Sequence, residues 1–292
     1  MTLRQAYQDA VRRLRNAGIS DPAFDAACIL EKNTGIKRHE LPLKGDTPAG
    51  DLAAFRSDVE RRERREPLQY ILGEWEFMGL RFSVGSGVLI PRPDTELLAG
   101  CAIEELKTAD RPAVLELCGG SGCVSVSIAK FVPGCRVYCL ELSGQAISYL
   151  RGNLASNEVE DRVKIIEGDM LNFEGCVGIP SPGSLDAVVC NPPYIRSEEI
   201  GTLQAEVGCY EPHLALDGGP DGLLFYRAAQ KWLTLLKAGG AAIFEVGAGQ
   251  ARDVTDILHQ AGLNEIFVKK DYGGVERVVG GRMPAPKPKT QE

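Results

Sequence analysis

From residue 112 onward the sequence sets short apolar runs between stretches of helical spacing. The runs are 113–117, 136–141, 163–167, 186–190 and 241–246, and helices are predicted near 122–131, 143–156, 222–237 and 250–261. Runs this short satisfy their backbone groups by pairing with one another, and connections long enough to hold a helix make the neighbours parallel. The pattern therefore predicts an α/β fold, a mostly parallel sheet with helices on both faces. Two further runs, 266–270 and 275–279, flank Gly273-Gly274 and read as a closing antiparallel pair.

The N-terminal part is of another kind. Leu3, Tyr7, Val11 and Leu14 recur at helical spacing, and Gly18 can stop that helix. Asp21-Pro22 combines a side-chain cap with a proline in the first turn and opens a helix over 23–30. Thr47-Pro48 reads as a second start of the same kind. Its helix runs through Leu52, Phe55 and Val59 into the charged run 61–65, expected to be a solvated face, and ends before Pro67. The stretch 74–90 alternates loosely around Gly79, Gly85 and Gly87, as a hairpin linker does. A chain of 292 residues has room for two domains. The expected division is a small all-α domain over 1–73, the hairpin over 74–90, an α/β domain over 91–282 and a disordered Pro/Lys-rich tail over 283–292.

Charge narrows the functional classes. Lys and Arg number 33 against 40 Asp and Glu, a formal net charge of −7, so stable nucleic-acid binding is not expected. The nine cysteines are scattered through apolar segments without a C-x-x-C pair, and there are three histidines. Reduced core cysteines in a cytoplasmic protein, with no metal site, are the expectation. No apolar run reaches membrane-spanning length, and the N-terminus lacks an apolar signal core.

Two motifs carry chemistry. In Val114-Leu-Glu-Leu-Cys-Gly-Gly-Ser-Gly122 an apolar strand breaks into a Gly-rich turn before a helix. Ligands of open parallel sheets bind beyond the carboxyl ends of the strands, and glycines let the backbone approach them. The next strand ends in Glu141, 19 residues beyond Gly122, where an acid can accept hydrogen bonds from ribose hydroxyls. The turn lacks both the P-loop Lys and the G-x-G-x-x-G spacing, so a nucleoside cofactor of another kind is expected. The second motif, Asp186-Ala-Val-Val-Cys-Asn-Pro-Pro-Tyr194, runs a strand into two prolines that fix φ and remove two donors. With the Asn191 oxygen, the remaining carbonyls make a rigid row of acceptors beside the flat wall of Tyr194. That device suits a planar NH2 group.

Together with Gly168-Asp169-Met170, these motifs resemble the class I S-adenosylmethionine-dependent methyltransferases, in which Asn-Pro-Pro-Tyr marks enzymes acting on amide or exocyclic amine nitrogen. Ile90-Pro-Arg-Pro-Asp-Thr-Glu96, Glu211-Pro212, Ala215-Leu-Asp-Gly-Gly-Pro-Asp-Gly222, Phe225-Tyr-Arg227 and Asp271-Tyr272-Gly273 narrow the likeness. Over about residues 3–282 the chain resembles the peptide-chain release factor glutamine methyltransferases (the PrmC/HemK family). The resemblance implies a Rossmann-like seven-stranded sheet and S-adenosyl-L-methionine as methyl donor, leaving S-adenosyl-L-homocysteine. It implies that Cys118, Gly119, Gly120, Ser121 and Gly122 hold the methionine part and Glu141 the ribose. Asp169 and Met170 flank the adenine, Thr95 closes over the cofactor, and Asn191 lies between cofactor and substrate. Asn191, Pro192, Pro193 and Tyr194 grip the substrate glutamine, with Asn191, Pro192 and Tyr194 as the catalytic set. The implied partner is a release factor, bound through the helical domain of a monomeric enzyme. The family turn usually reads Gly-Thr-Gly-Thr-Gly, and here Cys118-Gly119 take the first two places.

Two other readings share some of these features. An adenine-N6 methyltransferase uses the same Asn-Pro-Pro-Tyr logic, with Tyr194 stacking a flipped base, but the net charge opposes it. A non-catalytic cofactor sensor or scaffold has no need of the intact motif. The segment 195–221, with Glu206 and Glu211, is long for a connection and is expected to be a lid or substrate-contacting loop.

Overall fold

The computed structural model describes residues 1–285, so most of the tail over 283–292 lies outside the described residues. The chain forms two compact units. The first comprises Met1–Trp75, Val84–Ser86 and Leu203–Glu211, and the second Glu76–Ser83, Gly87–Thr202 and the chain from Pro212. The first unit thus takes in a segment from each of the stretches assigned above to the hairpin and the α/β domain.

The first unit is helical. Its leading helix, Leu3–Asn16, starts at a capping box: Thr2 Oγ1 accepts from Gln5 N and Gln5 Oε1 accepts from Thr2 N. Leu3, Ala6, Ala10 and Leu14 form its buried stripe. The helix Pro22–Thr34 is capped by Asp21, which accepts from Phe24 N at 3.0 Å, and stops at Gly35 with φ +71°. Ile29 and Leu30 from this helix pack with Phe55 and Val59 of the helix Ala53–Glu63. Each such side chain contributes about 1.5–3 kcal/mol when fully buried.

Two expectations fail in this unit. Thr47-Pro48 opens no helix: the Thr47 hydroxyl donates to Lys44 O, Pro48 pairs with Thr2, and the helix starts at Ala53, whose N–H donates to Asp51. The charged run 61–65 is no solvated face. Arg62 is buried and bonds Asp25 at 2.7 Å and Glu206 at 3.1 Å, while Arg65 bonds Glu206 at 2.8 Å. Burial raises the Asp25 carboxyl above its usual range, against the pull of Arg62.

Strands β1 (Glu74–Phe77) and β2 (Leu80–Ser83) pair in a two-stranded hairpin shorter than the expected 74–90. The main sheet has seven strands: β3 (Ala113–Leu117), β4 (Arg136–Glu141), β5 (Val163–Glu167), β6 (Leu185–Cys190), β7 (Leu236–Glu245), β8 (Asn264–Lys270) and β9 (Glu276–Arg282). Their order is β5-β4-β3-β6-β7-β9-β8; the first five are mutually parallel, and β9 runs antiparallel to β7 and β8. One face buries Val114, Val137, Val189 and Ile243 and the other Leu115, Leu140, Val188 and Phe244, which is why these strands read as continuous apolar runs. The order reverses between β3 and β6, the switch point at which open α/β sheets bind ligands. Both motifs follow these two strands.

Candidate active site

The Gly-rich turn follows β3. Cys118 and Gly120 take φ of +59° and +53°, and Gly122 (φ +80°) leads into the helix Cys123–Phe131. Two of its glycines are needed for packing: a Cβ on Gly119 would stand 2.2 Å from Cys139 Sγ, and one on Gly122 2.2 Å from Leu150 Cδ1. Gly120 differs, since a Cβ there meets nothing within 4 Å. It borders an open cleft.

That cleft is lined by Cys118, Gly120, Glu141, Asp169, Met170, Asn191 and Pro193 of the expected residues. Glu141 ends β4. Its Oε1 accepts from Leu142 N at 2.9 Å and Ser143 N at 2.7 Å, and its Oε2 from Gly120 N at 2.7 Å. Of about four acceptor sites on a carboxylate, one on Oε2 stays open. Met170 is fixed by its carbonyl, which accepts from Trp232 Nε1 at 2.8 Å, and Cys118 Sγ lies 3.2 Å from Met170 Sδ. Leu214 and Ala215, from the long segment 195–221, also line the cleft, as does Phe225.

The other expected residues stand behind this lining. Ser121 is buried, and its carbonyl accepts from Asn153 Nδ2 at 2.9 Å. Pro192 is buried. Thr95 is buried too, and its Oγ1 accepts from Asn191 Nδ2 at 3.1 Å. This bond uses one N–H of the Asn191 amide and leaves Oδ1 as an acceptor. Tyr194 is largely buried, with its hydroxyl 3.5 Å from Glu245 Oε1.

The flanking motifs have structural reasons. Cβ atoms on Gly218, Gly222 and Gly247 would lie 2.7 Å, 2.4 Å and 3.0 Å from atoms of Tyr194, so these glycines make room for the Asn-Pro-Pro-Tyr turn. Ile195 N donates to Leu216 O at 3.0 Å and Gly218 N to Ile195 O at 2.8 Å, tying the turn to the Leu-Asp-Gly-Gly segment. In Pro-Arg-Pro-Asp-Thr-Glu, Pro93 starts the helix Pro93–Leu106, Asp94 pairs with Arg277 at 3.0 Å and Glu96 accepts from Met78 N at 2.7 Å.

Sequence reasoning missed two residues here. Gln250 Nε2 donates to Tyr194 O at 3.0 Å, while its Oε1 accepts from Gly247 N at 2.9 Å. Glu245 ends β7 and is 2% exposed. Burial pushes its carboxyl up to about 7, against the Thr95 hydroxyl, Arg277 and Tyr194, which favour the charged form. The one available signal was an acid closing an apolar strand.

A sheet ordered 3-2-1-4-5-7-6 in its own seven strands, with the seventh antiparallel and a Gly-rich turn and acid after the first two, defines a class I methyltransferase. Residues 5–73 match the family model of the PrmC N-terminal domain, and residues 95–207 that of the methyltransferase small domain. A release factor glutamine methyltransferase of Geobacter sulfurreducens is 38% identical over 288 residues, 97% of each chain. One of Caulobacter vibrioides is 36% identical over 96% of each chain. One of Clostridium acetobutylicum is 41% identical over 76% of each. The chain belongs to the release factor glutamine methyltransferase family.

All nine cysteines are free. Cys123, Cys135, Cys139 and Cys190 are buried and Cys209 is exposed, so the expectation of core cysteines fails at Cys209. Among the described residues no helix is long and apolar enough to cross a membrane.

Proposed function

We propose that this chain methylates the side-chain amide nitrogen of the glutamine in the Gly-Gly-Gln loop of a peptide-chain release factor, using S-adenosyl-L-methionine. The observation that carries this reading is the fixed Asn191 amide, whose oxygen is left as an acceptor beside a cleft that also holds Glu141 and Gly120.

The residues present fit this cofactor. Gly120 leaves open space for it, Glu141 keeps an acceptor site for a ribose hydroxyl, and Asp169 and Met170 offer a polar and an apolar contact to the adenine. A second ribose hydroxyl bond to Glu141 displaces the Gly120 N–H. When bound, the cofactor supplies an electrophilic methyl group on sulfonium sulfur.

An amide nitrogen is a poor nucleophile because its lone pair is delocalised into the carbonyl. Asn191 Oδ1 and the Pro192 carbonyl accept its two N–H bonds and turn the lone pair toward the cleft. As positive charge builds on nitrogen, these bonds strengthen, which is stabilisation by acceptors already in place, and the cationic N-methyl amide, a strong acid, then gives its extra proton to water. Pro193 and Tyr194 stiffen the turn and keep water from its rear.

A glutamine side chain is too small to select one protein among many, so selectivity rests on contacts away from the reacting nitrogen. The helical residues 1–73 are proposed as that surface, with the 91–282 domain carrying the chemistry. Deleting them is a poor test, because it also removes Arg62 and Arg65, which hold Glu206. The direct test incubates the full chain with S-adenosyl-L-methionine and a bacterial release factor, then maps the modified peptide by mass spectrometry. One methyl group on the Gly-Gly-Gln glutamine is expected. Transfer to DNA or RNA instead makes the adenine reading correct.

A further inference from the structure

The Asn-Pro-Pro-Tyr turn rests on a buried acid that the reaction as drawn does not use. Glu245 closes β7, beside the strand that carries the turn. The Tyr194 hydroxyl is 3.5 Å from its Oε1, and Oε2 is buried without a hydrogen-bond partner among the described residues. Its own carbonyl accepts from the Tyr226 hydroxyl at 2.9 Å, which fixes the backbone at the strand end. Leaving a buried carboxyl oxygen unpaired costs about 1–3 kcal/mol or more, so an apolar residue would serve packing better. The Asn191 side of the turn leads to the same acid. Thr95 Oγ1 accepts from Asn191 Nδ2, so the Thr95 hydroxyl proton is free to donate elsewhere, and this hydroxyl favours the charged form of Glu245.

We propose that Glu245 is a positioning residue for methyl transfer: its carboxylate draws the Tyr194 hydroxyl directly and, through the Thr95 hydroxyl, sets the Asn191 amide with its oxygen toward the substrate. The relay runs from the Asn191 N–H to Thr95 Oγ1 at 3.1 Å and on to Glu245, whose charged form the Thr95 hydroxyl favours. A carboxylate is an acceptor only, so it admits one orientation of Thr95 and one face of the Asn191 amide. A protonated Glu245 can donate, and the Thr95 hydroxyl then has no fixed direction. The proposal rests on the reading of Asn191 as the acceptor for a substrate amide.

The surroundings of Glu245 make the switch accessible near neutral pH. Burial raises the carboxyl first, to about 7; the Thr95 hydroxyl and Arg277 of β9 lower it, Asp94 of the helix Pro93–Leu106 raises it, and Tyr194 lowers it. The charge of Glu245 in turn raises Cys190 at the end of β6 and Tyr226, whose first cause is burial. Asp94 is itself paired with Arg277. The carboxylate is the ordering form, so turnover rises with pH through an apparent value near 7.

The experiment measures kcat, the KM for release factor and cofactor affinity by calorimetry, from about pH 6 to 8.5, on the full chain. Glu245→Gln keeps the volume and replaces one acceptor by a donor. Its kcat is expected to fall about tenfold or more, as when an organising hydrogen-bond group is lost. Cofactor affinity and KM should stay within about twofold, and the pH-dependent rise should vanish. A kcat within twofold of the parent, or an unchanged pH-dependent rise, overturns the proposal, as does a loss confined to KM. If Glu245→Gln melts early, Thr95 decides. Thr95→Ser keeps the hydroxyl and should hold kcat within about threefold, while Thr95→Val should lose about tenfold; equal rates for the two overturn the relay. A parent that leaves the release factor unmodified instead defeats the functional reading, and is seen before any variant is compared.

Discussion

Three strands of the sheet end in glutamate, at Glu141, Glu167 and Glu245, and the first and last of these acids are treated in opposite ways. Glu141, after β4, receives three backbone N–H groups and borders the open cleft. Glu245, at the end of β7, is buried, with one oxygen unpartnered among the described residues and its carboxyl pushed up by burial. Residue type and place in the fold are the same, so neither decides the role. The local supply of donors does. A carboxylate held by main-chain N–H groups is a fixed charge for a polar ligand, whereas a dehydrated one is an adjustable support for its neighbours.

The comparison breaks most visibly at Asn191, the side chain proposed to carry the Glu245 corner to the substrate. Asn191→Ala removes an acceptor that counts most as charge develops. Turnover is expected to fall by on the order of 10²–10³, with a smaller change in cofactor affinity. A near-normal kcat in single-turnover assays means that corner has no part in the chemistry.

At the other corner the expected effect is on binding. Glu141→Ala removes the proposed acceptor for the ribose, and a hydrogen bond to a charged group contributes about 1.5–3 kcal/mol, so cofactor Kd should rise at least tenfold. Calorimetry reads it directly. Because Gly120, Leu142 and Ser143 lose their acceptor as well, a ligand-free melt of the same variant separates damage to the turn from loss of the ligand.

Another acid, buried in β3, sharpens the contrast. Glu116 lies in the middle of β3, fully dehydrated, accepting from the backbone N–H and the hydroxyl of Ser125. Burial raises its carboxyl to about 8. The folded chain therefore keeps a proton that the unfolded chain releases above about 4.5. Stability is full below that value and falls as pH rises toward 8, by at most about 1.4 kcal/mol per pH unit for each such group. Glu245 adds to the same trend over a narrower window. Glu116→Gln should flatten most of the decline in Tm between about pH 5 and 8. A variant that follows the parent's slope means Glu116 is not the proton-holding group.

What the sequence disclosed follows the same division between local and distant causes. Strands β3, β4 and β5 begin and end where their runs do: β3 and most of β4 are covered on both faces, while β5, at the sheet edge, sets buried Val163 and Ile166 among exposed Lys164 and Glu167. Strand β7 begins at Leu236 rather than 241: Lys237, Gly239 and Gly240 carry no strand signal, but Leu236 pairs with Leu185, Gly239 N donates to Met283 O and Gly240 O accepts from Met283 N. The Gly-rich turn, Glu141 and Asn191 were legible because their spacing along the chain is itself the constraint. Arg62 was not. Its partner Glu206 lies 144 residues further on, so its burial depends on a contact that no local pattern contains. Glu245 and Gln250 escaped for the same reason, since their roles depend on a turn more than fifty residues earlier.

The smallest effect is expected where the chain departs from its family. Cys118 takes the left-handed φ of +59°, which costs a side chain with a Cβ about 1–2 kcal/mol relative to glycine. Its thiol lies against Met170, and the residue lines the cleft. Cys118→Gly relieves the backbone, loosens the unfolded chain by a comparable amount and gives up the sulfur contact. These changes nearly cancel. Cofactor Kd should tighten slightly or stay within about twofold, with Tm within a few degrees. An affinity several-fold weaker, measured by the same calorimetry as for Glu141→Ala, would make the thiol part of the binding surface. The Gly-rich corner would then hold its ligand by a side chain as well as by the main chain.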